Sequence, residues 1–236
     1  DATFAHALQA EDAMVRPHLV SGTHAIAVAL HGCLSAGDRV LSVTGKVYDT
    51  LEEVIGTRTG SCYLTPSPLS LIGRGIHYQE CNLMSEWASE TSGQQVQTAD
   101  QPCDQPSLLQ MEQWVKAASL IYIQRSRGYA LRPALHQDWL KAMIERVRFL
   151  NPNAIVFVDN CYGEFVEPDE PTAYGADLIA GSLIKNPGAG IVPTGGYIAG
   201  TSELVEKAGM ALTCPGVGRE GGYMFDLTRP FLQGLY

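Results

Sequence analysis

Six short strand-like runs, most of them apolar and separated by stretches with helical periodicity, constrain the fold more than any other feature of this chain. They occupy residues 39–45, 76–81, 120–124, 154–160, 177–182 and 196–200. Runs such as Leu120-Ile121-Tyr122-Ile123 and Ile155-Val156-Phe157-Val158 are apolar without alternation. A strand of that kind is buried on both faces, as in parallel sheets covered by crossover helices. The helical patterns between them are consistent with this. Ser21 is placed as an N-cap ahead of an apolar stripe of Ala25, Ile26, Ala29, Leu30 and Cys33. Further helices are predicted over residues 51–55, 114–118 and 135–150. Residues 1–15 read as a helix tail, with Phe4, Ala7, Leu8 and Glu11 at helical spacing, ended by Pro17. The prediction is a three-layer α/β fold, with a mainly parallel sheet and helices on both faces.

The 236 residues, 45% of them hydrophobic, suffice for one large α/β domain. Residues 85–107 are rich in Ser, Thr, Gln and Asp and read as a polar surface insertion. The formal net charge of −9 argues against general nucleic-acid binding, which needs a basic face. The six cysteines include no C-x-x-C pair, so they are expected as reduced thiols of a cytoplasmic protein. No run reaches the length of a membrane span. The chain opens at Asp1 and closes in an apolar stretch ending at Tyr236, which reads as a fragment of a longer protein.

In a sheet of this type ligands gather beyond the carboxyl ends of the strands. Tyr48, Arg125, Asp159 and Lys185 all fall near such ends. Lys185 closes an apolar run, and Asn186-Pro187-Gly188 stops regular structure at once. A lysine at the edge of a core can shed its proton and act as a nucleophile, as it does when it holds pyridoxal phosphate as a Schiff base. Asp159 ends a buried strand, where a carboxylate is costly unless paired; a pyridinium nitrogen would pair it. Capping a loop is the plainer role for it. Ser21-Gly22-Thr23 opens a helix whose N–H groups and dipole favour a phosphate, though the same tripeptide is also an ordinary N-cap. Ser182 is a candidate phosphate donor or a buried hydroxyl bonded to backbone. Tyr48 is a ring to stack on the cofactor or a core aromatic. Arg125 and Arg127 are candidates for a substrate carboxylate, or solvated side chains. His24 and His31 share a helix face without a third ligand in register, so no metal site is expected. The glycines at 188, 190, 195 and 196 match neither nucleotide-loop pattern.

Five blocks occur in order: Ser-Gly-Thr-His-Ala-Ile-Ala, Gly-Lys-Val-Tyr-Asp-Thr-Leu-Glu-Glu-Val-Ile-Gly, Gln-Arg-Ser-Arg-Gly-Tyr, Val-Asp-Asn-Cys-Tyr-Gly-Glu-Phe and Gly-Ser-Leu-Ile-Lys-Asn-Pro-Gly. With them the chain resembles the aluminium-resistance, methionine gamma-lyase-like family of fold type I pyridoxal-phosphate enzymes, near the cystathionine gamma-lyase group. The resemblance runs from about Glu11 to Tyr236. It implies the large, cofactor-binding domain of that fold, with a seven-stranded type of sheet and the terminal parts of the family fold missing. It implies that Lys185 carries the cofactor and Asp159 pairs with its ring nitrogen. Gly22 and Thr23 then bind phosphate through backbone N–H groups, Ser182 adds a hydroxyl, and Tyr48 stacks on the ring. Related lyases often place a hydroxyl residue just before the lysine, where this chain has Ile184. The implied activity is carbon–sulfur β- or γ-elimination from an amino acid, in a homodimer or homotetramer. The alternatives are an aminotransferase or aldolase using the same cofactor, or a cofactor-binding protein without turnover acting in metal-stress resistance.

Overall fold

A computed structural model describes residues 1–58, 66–83 and 106–235. The predicted insertion at 85–107 lies outside the described residues except at its last two positions. The strands are β1 (Asp12–Arg16), β2 (Arg39–Ser42), β3 (His77–Glu80), β4 (Leu120–Gln124), β5 (Ile155–Asp159), β6 (Leu178–Ser182) and β7 (Gly196–Gly200). They form a seven-stranded sheet in the order β1-β7-β6-β5-β4-β2-β3. The helices are α1 (Ala2–Ala7), α2 (Gly22–Cys33), α3 (Asp49–Ile55), α4 (Leu108–Ala117), α5 (Gln137–Leu150), α6 (Ser202–Leu212) and α7 (Thr228–Gln233). The alternation of strands and helices is the α/β architecture expected from the apolar runs.

The sheet is mixed. β2 runs parallel to both β3 and β4, whereas β7 is antiparallel to β6 and to β1. β6 and β7 are joined by a loop that carries only a short 3-10 turn, Asn186–Gly188, in place of a crossover helix. A parallel partner would have needed that helix. Every residue of β4, β6 and β7 is buried, in keeping with strands apolar on both sides.

One expectation is overturned. Residues 1–15 are not a single helical segment: α1 stops at Ala7, Gln9 takes a positive φ of 51°, and the chain continues as β1. Ala13, Met14 and Val15 are buried, and they face Ala199, Ile198 and Tyr197 of β7 in register. Phe4 and Ala7 keep their helical spacing within α1, but beyond Leu8 pairing with a long-range partner overrides its continuation to Glu11, because the edge of β7 offers hydrogen bonds and apolar cover at once.

The chain divides into two compact units. The first comprises residues 1–34 and 158–236, and the second residues 35–157. In the first, α2 packs on α6 and both lie against strands of the sheet. Gly32 permits this close approach, since a Cβ there would fall 2.6 Å from the Lys207 carbonyl oxygen. Leu30, Val205 and Ala208 are buried in the same unit. In the second, Tyr122 and Phe157 meet at 5.7 Å between ring centroids, and Asn151 Nδ2 donates to the carbonyls of Val115 and Ala118 at 2.9 Å each. Each buried aliphatic side chain contributes roughly 1.5–3 kcal/mol relative to exposure.

Candidate cofactor site

In the first unit the site begins at the N-terminus of α2. Ser21 is extended, at φ −160° and ψ 167°, and its Oγ accepts from the His24 N–H at 3.1 Å. That is the N-cap read from sequence, and it leaves the first turn of α2 presenting N–H groups outward. Gly22 is the tight point. A Cβ there would lie 2.9 Å from Cys161 Sγ and 3.4 Å from Ser182 Cβ. Glycine therefore lets the helix end approach both the loop after β5 and the end of β6.

Asp159 closes β5 and is buried, with Oδ1 accepting from the Cys161 N–H at 3.1 Å. The Cys161 thiol is pushed well above its usual range, by burial first and then by the Asp159 charge, with Lys185 acting the other way. It is a structural thiol, poorly suited to being a nucleophile. Ser182 closes β6, fully enclosed, with Oγ accepting from the Ile184 N–H at 3.3 Å.

Lys185 follows at once, half-buried, at the head of the 3-10 turn. Its Nζ lies 3.9 Å from the centre of the Tyr162 ring. Tyr162 sits at a positive φ of 67°, which swings an otherwise exposed ring over the amine. Gly188 has no alternative, because a Cβ there would collide with the Leu183 carbonyl oxygen.

Behind these groups is a buried polar cluster that the sequence reading did not single out. Glu164 Oε1 accepts from Tyr197 OH at 3.0 Å. Asn160 Nδ2 donates to Glu170 Oε2 at 2.7 Å, and Glu170 Oε1 accepts from the Phe165 N–H at 2.7 Å. Burial pushes the Glu164 carboxyl up to about 8, and the Asp159 and Glu170 charges add to the rise. Glu164 lies within the Asn-Cys-Tyr-Gly-Glu-Phe block, but a glutamate two residues past a turn reads as solvated until its loop is seen folding inward.

The remaining candidates lie in the second unit. Tyr48 is the residue before α3, and its N–H donates to Gln124 Oε1 at 2.7 Å. Its ring stacks on Tyr129 at 5.4 Å and 22°. Both tyrosines line a cavity of about 650 Å³ that Arg127 also lines. Arg127 is exposed, whereas Arg125 is buried beside it in sequence. Arg132, also buried, donates to the carbonyls of Gln124 and Ser126 at 2.9 and 2.7 Å and so braces this turn. Gly128 takes φ +57°, with Gln124 Nε2 3.1 Å from where a Cβ would be.

The donor set in the first unit suits pyridoxal phosphate. A helix N-terminus narrowed to glycine and a serine hydroxyl match a phosphate, a buried carboxylate matches a pyridinium, and a strand-end lysine matches the aldehyde. The fold is the one found in fold type I pyridoxal-phosphate enzymes. The pyridoxal-5'-phosphate dependent protein YhfS from Escherichia coli shares the fold at TM-score 0.65 and 15% identity, covering 100% of this chain and 51% of that one. The family model described as methionine gamma-lyase matches residues 1–236, and the chain belongs to that family. YnbB of Bacillus subtilis (strain 168) is 42% identical over 236 residues, which is 100% of this chain and 51% of YnbB. The carbon-sulfur lyase involved in aluminum resistance from Clostridium novyi NT is 42% identical at TM-score 0.82, covering 100% of this chain and 51% of that one. The chain thus spans about half the length of the relatives it matches.

Proposed function

We propose that this chain forms the pyridoxal-phosphate-binding domain of a lyase that breaks a carbon–sulfur bond of an amino acid by β- or γ-elimination. The observation that carries the reading is the grouping of Gly22, Asp159, Ser182 and Lys185 in one unit, with Gly22 packed so closely that a Cβ would lie 2.9 Å from Cys161 Sγ. The family and the carbon-sulfur lyase relative support the reaction class.

When bound, pyridoxal phosphate supplies a carbonyl for the substrate amine and a ring that accepts electrons from Cα. Gly22 and Thr23 N–H groups and Ser182 Oγ hold the phosphate. The Asp159 carboxylate keeps a proton at the ring nitrogen. Lys185 Nζ would anchor the cofactor, and as a free amine it would be the base placed to take the proton from substrate Cα. Tyr162, whose ring already receives Nζ, steadies the released amine. Tyr48 stacks on the cofactor ring, and Arg125 and Arg127 are the candidate grips for the substrate carboxylate. The protein works as a cytoplasmic homodimer or homotetramer on an amino acid, apart from nucleic acid and membrane. Among the described residues, no helix is long and apolar enough to cross a membrane.

The test uses the full-length protein mixed with pyridoxal phosphate. A visible absorbance band that is lost in Lys185→Ala, with ammonia and a keto acid released from a sulfur amino acid without any second keto acid, is the expected result. No band in the wild type would sink the cofactor assignment. A band with a requirement for a second keto acid would point to amino transfer instead.

A further inference from the structure

We propose that Glu164 is held as a neutral carboxylic acid behind Asp159, and that loss of its proton governs the alkaline limit of the site. The proposal rests on the assignment of Asp159 to the cofactor's ring nitrogen.

The geometry leaves Glu164 little choice. Its side chain is 1% exposed, with Oε1 held by Tyr197 OH at 3.0 Å. Oε2 is buried and has no hydrogen-bond partner among the described residues. Its main-chain carbonyl accepts from Asn186 Nδ2 at 3.0 Å, tying it to the residue after Lys185. Gly181 opens the space for the pair, since a Cβ there would lie 2.5 Å from Oε1 and 2.7 Å from Tyr197 OH. A carboxylate with one oxygen unpartnered in so dry a place is expensive, whereas a carboxylic acid is tolerable.

The Asp159 and Glu170 charges act in the same direction. Asp159 and Cys161 face Glu164 from its own segment, Glu170 from the following turn, and Tyr197 from β7. Lys185, beyond the end of β6, acts on Cys161 in the opposite sense. The hydrogen bond from Tyr197 favours the ionised form but is outweighed by burial. Burial first, with the Asp159 and Glu170 charges adding to it, lifts the carboxyl to about 8. Below that pH, Asp159 faces the ring nitrogen with Glu164 neutral behind it. Above it, Glu164 gives its proton to water and a further negative charge joins those of Asp159 and Glu170 in the cluster. Protons elsewhere in the site are then held more tightly.

The experiment follows the visible absorbance of the cofactor-loaded full-length protein as pH is raised, in the wild type, Glu164→Gln and Tyr197→Phe. Infrared spectra of the cofactor-free proteins report the carboxylic-acid carbonyl stretch. Glu164→Gln is expected to keep the visible band, lose the infrared band that titrates near pH 8, and shift the alkaline transition down by roughly half a pH unit. Tyr197→Phe removes the bond that favours ionisation and moves the infrared transition upward. A normal visible band whose alkaline transition is the same in wild type and Glu164→Gln overturns the proposal alone. Absence of any visible band in the wild type overturns the cofactor reading and this coupling with it.

Discussion

Gly22 is the residue on which cofactor affinity should depend most visibly. Its missing side chain leaves room at a helix end where Cys161 Sγ would stand 2.9 Å from a Cβ. Gly22→Ala is expected to weaken pyridoxal-phosphate binding by roughly tenfold or more, since an energy difference of about 1.4 kcal/mol suffices for that factor. Titrating the visible absorbance with added cofactor measures it. Adding Cys161→Ala removes the sulfur that the new methyl meets, so the double variant should recover part of the loss. Both residues sit in blocks that the sequence marks out, yet only the packing couples them. Cys161, without a histidine beside it, already reads as a structural thiol, whereas Glu164 and Tyr197 were silent in the sequence because burial decides their chemistry, and burial is set by where a loop turns. Here Tyr162 and Phe165 make that turn at positive φ of 67° and 59°.

At the scale of elements, α2 carries the site and Ser21 carries α2. The Ser21 Oγ bond to the His24 N–H closes an orphan donor that no other part of the helix can satisfy. Ser21→Ala should cost about 1 kcal/mol in chemical denaturation, while Ser21→Asp should retain most of the stability. The cap and the stripe were both legible, because capping and helical periodicity are local properties. β1 was not. Asp12-Ala13-Met14-Val15-Arg16 is too short to declare a period, and its identity as a strand follows from its register with β7. The antiparallel setting of β7 was likewise hidden. A buried apolar run looks the same in either direction, and the loop from Leu183 to Gly195 alone determines how the chain returns.

For the whole molecule, Glu164 makes stability depend on pH with a definite sign. Its usual value of 4.5 is raised to about 8 in the folded protein. Between those values the folded chain holds a proton that the unfolded chain has lost. The stabilisation is therefore complete below about 4.5, declines as pH rises through the interval, and is gone above about 8. Glu164→Gln lacks this dependence. The melting temperature of the wild type relative to Glu164→Gln should fall as the comparison moves from about pH 5 to about pH 9, as thermal unfolding at the two pH values would report. A constant difference would mean that Glu164 is already ionised in the fold.

The apolar runs determined the layered α/β class and brought Lys185, Asp159 and Ser182 to strand ends, because continuous strands must be covered on both faces. The order of residues around Lys185 and Asp159 likewise pointed to the chemistry proposed for the site, since few settings suit a strand-end lysine and a buried carboxylate. How closely Gly22 meets Ser182 and Cys161, and that Glu164 lies dry against Tyr197, came from the folded chain alone. Those facts depend on distances between residues far apart in sequence, and on how much water each loop excludes.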